Sequence, residues 1–150
     1  MTTAHQATCV AIAGRAVLIE GAPGTGKSSL ALALIDRGAM LVGDDSVMLE
    51  ARGPALHACP HPQTRGLLEI RNLGLVEMPV CASAPVCLAI TLTDTAPRYI
   101  ERADTVERNG VFLPHVKLWP DPSLSALKVE IALRSFGMDG KQVSPRDNAP

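Results

Sequence analysis

Aromatic residues are nearly absent. One Trp, one Tyr and two Phe make up 3% of 150 residues, although 47% of the chain is hydrophobic. A core built on aromatic rings is thereby excluded, and the interior has to come from Ala, Val, Leu and Ile, the usual filling of a sheet covered by helices. An excess of one charge is missing too. Fourteen basic residues stand against fifteen acidic ones, a net charge of −1, so no basic field marks nucleic acid or an anionic membrane as partner. No apolar run approaches the roughly 20 residues of a membrane span. The N-terminus has no cationic stretch followed by an apolar one, and the expectation is a cytoplasmic protein. Cys9, Cys59, Cys81 and Cys87 form no C-x-x-C pair. Cys59 with His57 and His61 lacks the spacing of a tetrahedral zinc site. The cysteines read as small buried hydrophobes in a reducing compartment. What remains suits one domain, long enough to bury about two-thirds of the surface its unfolded chain exposes.

Apolar periodicity and turn residues place the elements. Cys9–Ala13 and Ala16–Glu20 read as strands joined at Gly14-Arg15. A loop over Gly21–Gly26 leads into a helix over Lys27–Arg37, with Leu30, Ala33 and Leu34 on one face and Gly38 as its stop. Met40–Val42, Ser46–Glu50 and Ala55–Cys59 read as strands. Gly66–Glu77 carries mixed signals: a turn of helix or extended chain over Leu67–Arg71, then a short strand. Val86–Leu92 and Val111–Leu118 are strands, Pro97–Gly110 is a charged surface excursion, and Ala126–Phe136 is a helix ending at Gly137. Residues 139–150 are polar and without period, which predicts a disordered tail after a single folded unit over 1–138.

The segment Gly21, Ala22, Pro23, Gly24, Thr25, Gly26, Lys27, Ser28 matches G-x-x-x-x-G-K-[ST] at every fixed position. An apolar strand precedes it and a helix follows, which is the order the chemistry requires. Glycines let the backbone curl so that several N–H groups point at one phosphate, and the helix N-terminus adds partial positive charge. Lys27 brings a full charge to the β- and γ-phosphates of a nucleoside triphosphate, and the Ser28 hydroxyl is suited to Mg²⁺. Pro23 removes one N–H from this loop.

Two further charged sites follow. Asp44 and Asp45 come just past a strand, on the sheet edge expected to carry the phosphate loop. They suit two roles, holding Mg²⁺ or accepting the proton of an attacking hydroxyl; solvated carboxylates in an Asx turn are the alternative. Glu69 and Arg71 stand inside an apolar stretch and share a face if the chain is extended. Glu69 is a candidate metal ligand and Arg71 a phosphate or structural partner, against a surface pair worth little.

Gly21–Ser28, Arg37-Gly38, Leu41-Val42-Gly43-Asp44-Asp45 and Leu68-Glu69-Ile70-Arg71-Asn72-Leu73-Gly74 together resemble, in order and spacing, the C-terminal catalytic domain of HPr kinase/phosphorylase, over about residues 5–138. The resemblance implies an α/β P-loop kinase fold similar to phosphoenolpyruvate carboxykinase, with mixed sheets, a P-loop helix and a C-terminal helix. It implies an ATP- and Mg²⁺-dependent protein-serine kinase acting on an HPr-like phosphocarrier of the phosphotransferase system, in many members with reverse phosphorolysis. It also implies a hexamer and, for this chain, the short form known from alphaproteobacteria. Carried over, Lys27 binds phosphate, Ser28 and Glu69 ligate the metal, the Asp44–Asp45 pair holds the base, and Arg71 belongs to the signature. His5 matches an upstream active-site histidine, with Gln6 as an apparent insertion; an exposed terminal histidine is the alternative. Asn72 stands where the signature has Gly. No Arg occurs in Leu118–Leu127, where longer members carry one, and Lys117 and Lys128 lack a guanidinium's fork. A small-molecule kinase, with Arg98, Arg102 and Arg108 in a lid, and a non-catalytic nucleotide sensor are the competing readings.

Overall fold

The run Ala16-Val17-Leu18-Ile19 is apolar at every position, so a strand placed there has to be covered on both faces. The computed structural model, which describes residues 2–121 and 123–140, has that arrangement. Strand β3 (Arg15–Gly21) is central, and all four of these residues are fully buried. Successive side chains point to opposite faces. Val17 and Ile19 pack with Leu30, Leu34, Val129 and Leu133 of the two helices. Ala16 and Leu18 pack on the other side with Val42, Leu49, Leu56 and Leu113. The sheet therefore separates two cores.

In chain order the elements are β1 (Thr2–His5), β2 (Thr8–Ile12), β3, α1 (Lys27–Asp36), β4 (Met40–Gly43), β5 (Val47–Arg52), β6 (Ala55–Pro60), β7 (Leu67–Ile70), β8 (Gly74–Glu77), β9 (Ala84–Leu92), β10 (Asp104–Arg108), β11 (Val111–Leu118) and α2 (Ser125–Phe136). The main sheet runs β1-β5-β6-β9-β3-β2-β4, with β11 joined to β9 and β10 to β11. It is mixed: β3 and β11 run parallel to β9, while β2 is antiparallel to both β3 and β4. Hence β3 and β4 point the same way with β2 between them, and Asp44 leaves the sheet at the same edge as Gly21. The two segments reach one edge without being neighbours.

The fold is the expected mixed α/β type with a P-loop helix and a C-terminal helix. Helix α1 ends as its sequence predicts: Arg37 and Gly38 donate backbone bonds to Leu34 and Ile35, and Ala39 reaches back to Leu34.

Three readings change and one open alternative is decided. The first strand, β1, is additional to those read from the sequence; Thr2–Ala4 is exposed throughout, so it carries no alternation of buried and exposed residues. Of the two alternatives for Gly66–Glu77 the extended one holds: the stretch is a β-hairpin, a second small sheet that inserts Leu68 into the core beside α1. The chain turns after Ile70, so Arg71 lies in the turn and does not extend the face of Glu69. The charged excursion over Pro97–Gly110 contains β10, paired with β11 along its whole length. The tail expected from 139 lies, from residue 141 on, outside the described residues.

Candidate active site

The P-loop leaves β3 at Gly21 and enters α1 at Lys27. Gly21 has φ +152, and a Cβ there would meet the Leu92 carbonyl oxygen at 2.9 Å and the Thr25 hydroxyl at 2.8 Å. Only glycine fits this crossing between β3 and β9. Thr25 closes the loop on itself, its hydroxyl donating to the Ala22 carbonyl at 2.8 Å. The Lys27 ammonium donates to the carbonyls of Gly21 at 2.8 Å and Ala22 at 3.1 Å. The cation is therefore held over the loop, beside the N-terminus of α1.

Asp44 ties the three motifs together. Its Oδ1 accepts hydrogen bonds from the Ser28 hydroxyl at 2.7 Å and the Thr8 hydroxyl at 3.0 Å. Its Oδ2 accepts one from the backbone N–H of Glu69 at 3.1 Å. Asp45 differs. Its φ is +66, a conformation that Asp tolerates better than most residues, and its N–H donates to the same Thr8 hydroxyl. It lines a cleft of about 630 Å³ with His5, Gln6, Glu20, Gly21, Pro23, Lys27 and Arg108. The adjacent carboxylates thus face different surroundings, Asp44 inside a hydrogen-bonded knot and Asp45 on the cleft.

Ser28 Oγ and Asp44 Oδ1 are a hydroxyl and a carboxylate oxygen in contact at the phosphate loop, the hard oxygen donors that suit Mg²⁺. The residues present fit that cation. Among the described residues no group of three or more His, Cys, Asp or Glu is placed to hold a metal ion. An Mg²⁺ bound through one or two protein groups, water and phosphate needs no such cluster. The Glu69 residue is exposed, and its contact with the site runs through its backbone.

His5, at the end of β1, does reach the cleft. Its Nε2 lies 2.6 Å from Glu20 Oε2. Arg108 donates to both oxygens of the same carboxylate, Nε at 3.1 Å and Nη2 at 2.6 Å. Burial by itself would raise the Glu20 carboxyl; the hydrogen bonds and charges of His5 and Arg108 together outweigh it and bring it down to about 2. Behind this group, buried His115 meets the Thr91 hydroxyl at 2.7 Å, and burial pushes its imidazole below the ordinary value.

Thr8 and Glu20 belong to no motif and enter the site only in the structure, while Arg108, named from the sequence in the lid of the small-molecule-kinase reading, clamps Glu20 instead. Glu20 carried a signal: it is the one charge between an apolar strand and Gly21. Thr8 carried none, because β2 reaches the site only through sheet pairing. The signature's Asn72 has φ +73, so the positive backbone angle that Gly would supply is adopted by Asn. A second, more apolar cleft of about 370 Å³, lined by Tyr99, Trp119, Lys128 and Phe136 among others, shares no residue with the first.

Comparison with known proteins agrees with this geometry. The HPr Serine kinase C-terminal domain family matches residues 1–91. The HPr kinase/phosphorylase of Limosilactobacillus reuteri is 32% identical over 143 residues, covering 87% of this chain and 44% of that protein. That of Mycoplasma mycoides is 28% identical over 131 residues, covering 78% of this chain and 42% of its own. The chain thus spans less than half the length of these curated relatives. The solved HPr(Ser) kinase/phosphatase from Coxiella burnetii superposes with a TM-score of 0.79 at 27% identity, covering 88% of each chain. With the P-loop, the aspartate pair and β7 of the signature meeting at Asp44, the chain belongs to the HPr serine kinase C-terminal domain family.

Proposed function

We propose that this chain is an ATP-dependent protein-serine kinase acting on an HPr-like phosphocarrier protein of the phosphotransferase system. The observation that carries the reading is Asp44, which joins the Ser28 hydroxyl of the P-loop to the Glu69 backbone of the signature. A Gly-rich turn alone would not require that junction. The names of the relatives and of the Coxiella structure support the substrate class.

In this reading the P-loop N–H groups and the N-terminus of α1 receive the phosphates of ATP, and Lys27 supplies the full positive charge. The serine oxygen attacks the γ-phosphorus as the bond to ADP breaks. Asp45, on the cleft, takes the hydroxyl proton and returns it to solvent. Ser28 and Asp44 would hold Mg²⁺, with Glu69 as the further ligand that the family resemblance assigns. When bound, the ion neutralises charge on the phosphate oxygens. The proposal includes a cytoplasmic location, where ATP is supplied, and the family's hexameric assembly. None of the described helices is long and apolar enough to cross a membrane.

The test is transfer of label from γ-labelled ATP to a serine of a candidate phosphocarrier, with Lys27→Ala as control. Asp45→Asn should lower kcat more than about tenfold at saturating Mg²⁺, the scale of a lost general base. Asp44→Asn should instead raise the Mg²⁺ concentration required. ATP binding without label on any phosphocarrier would overturn the kinase reading. Phosphorolysis is tested separately, by adding inorganic phosphate to the phosphorylated carrier.

A further inference from the structure

Glu20 lies outside every motif, yet three strands converge on it. Its side chain is 14% exposed. It receives His5 from β1 and the forked guanidinium of Arg108 from β10. The turn after β10 accounts for this meeting. Asn109 and Gly110 have φ +51 and +79, as a two-residue type I′ hairpin requires. The Asn109 amide then donates to the Thr3 hydroxyl at 2.8 Å and the Leu49 carbonyl at 3.3 Å. Thr3 and His5 lie two apart on β1 and so share a face. The hairpin is therefore fastened to β1 twice, directly at Thr3 and through Glu20 at His5.

We propose that Glu20 is a positioning residue for the transfer reaction. It holds His5 by Nε2–H and thereby presents Nδ1 to the cleft, and Arg108 fixes the carboxylate that does so. The inference rests on the kinase reading above. A neutral imidazole has one donor and one acceptor nitrogen. A carboxylate occupying the donor side selects the tautomer and orients the ring. A bidentate arginine restrains that carboxylate as a lysine's point charge would not. Facing His5 across the cleft are Lys27 from α1 and Asp45 from the loop after β4, besides Glu20 and Arg108. His5 Nδ1 is thereby turned to the cleft that these groups line. It accepts a hydrogen bond when the ring is neutral and donates one when it is protonated.

Two readouts test this. A long-range ¹H–¹⁵N spectrum of the wild-type chain should show the neutral His5 ring protonated at Nε2, a preference lost in Glu20→Gln. A ring protonated at Nδ1 in the wild type overturns the proposal whether or not the chain is a kinase. In the phosphocarrier assay, Glu20→Gln should lower kcat about tenfold with KM for ATP within about twofold, and should cost less than about twofold more when added to His5→Asn. Fully additive losses, or an unchanged kcat, overturn it. Should Glu20→Gln not fold, Arg108→Lys replaces it, with a loss of about threefold expected and no loss counting against the proposal. A wild type that labels no phosphocarrier shows instead that the kinase reading has failed, and the tautomer is still decided by the spectrum.

Discussion

Single carboxylates divide the labour of this site. Asp44 and Asp45 are neighbours in sequence, but one accepts three hydrogen bonds and the other lines the cleft. Asp45 also has a positive φ of +66. Glu20 carries a consequence for stability. Its folded value of about 2 lies below the ordinary 4.5. The stabilisation it contributes is therefore complete above about pH 4.5 and is lost as pH falls toward 2. Denaturant titrations at a series of pH values should show Glu20→Gln flattening that acid limb. The cysteines follow burial: Cys9 and Cys87 are fully buried, and burial pushes the Cys87 thiol up to about 11.

At the scale of elements, the crossing of the P-loop over β9 is the tightest part of the site. Gly21→Ala would drive a Cβ against the backbone of Leu92, and a backbone oxygen cannot move aside as a side-chain tip can. The expected result is at least a tenfold weaker ATP affinity by calorimetry, with the far-ultraviolet spectrum retained, because the loop rather than the sheet has to yield. The hairpin β7–β8 shows how a sequence can leave an element's type open. Leu67-Leu68-Glu69-Ile70 has no clean alternation, since only Leu68 is fully buried while Glu69 is exposed. A short hairpin lying on a helix by one residue leaves almost no periodic signal. Strand β10 is similar: its charged residues 104–108 read as surface chain because the strand is stabilised by pairing with β11 and covers little core.

Over the whole molecule, stability should be graded outward from the pair β3–β9. Both strands are buried on two faces and sit between the two cores. Amide hydrogen exchange should be slowest for Val17–Ile19 and Leu88–Ile90, and much faster in β1 and β8, whose residues are largely exposed. Uniform protection would mean that the flanking strands unfold only with the centre. The gradient matters for the site, because the P-loop and Lys27 follow directly from β3 while His5 sits on the edge strand β1. Glu20 and Asn109 are the contacts that bring that edge to the centre.

By itself the sequence determined the P-loop, its strand and helix, the aspartate pair at a strand end and the family resemblance. Each of these is written in contiguous residues whose spacing the chemistry dictates: a curled backbone needs its glycines in order, and a buried strand needs an unbroken apolar run. Only the tertiary structure decided that Asp44 is the junction and Asp45 faces the cleft, that β2 separates β3 from β4, and that Thr8, Glu20 and Arg108 belong to the site. Those facts depend on which strands pair, and Thr8, Glu20 and Arg108 lie up to 100 residues apart in a chain that carries no local record of the pairing.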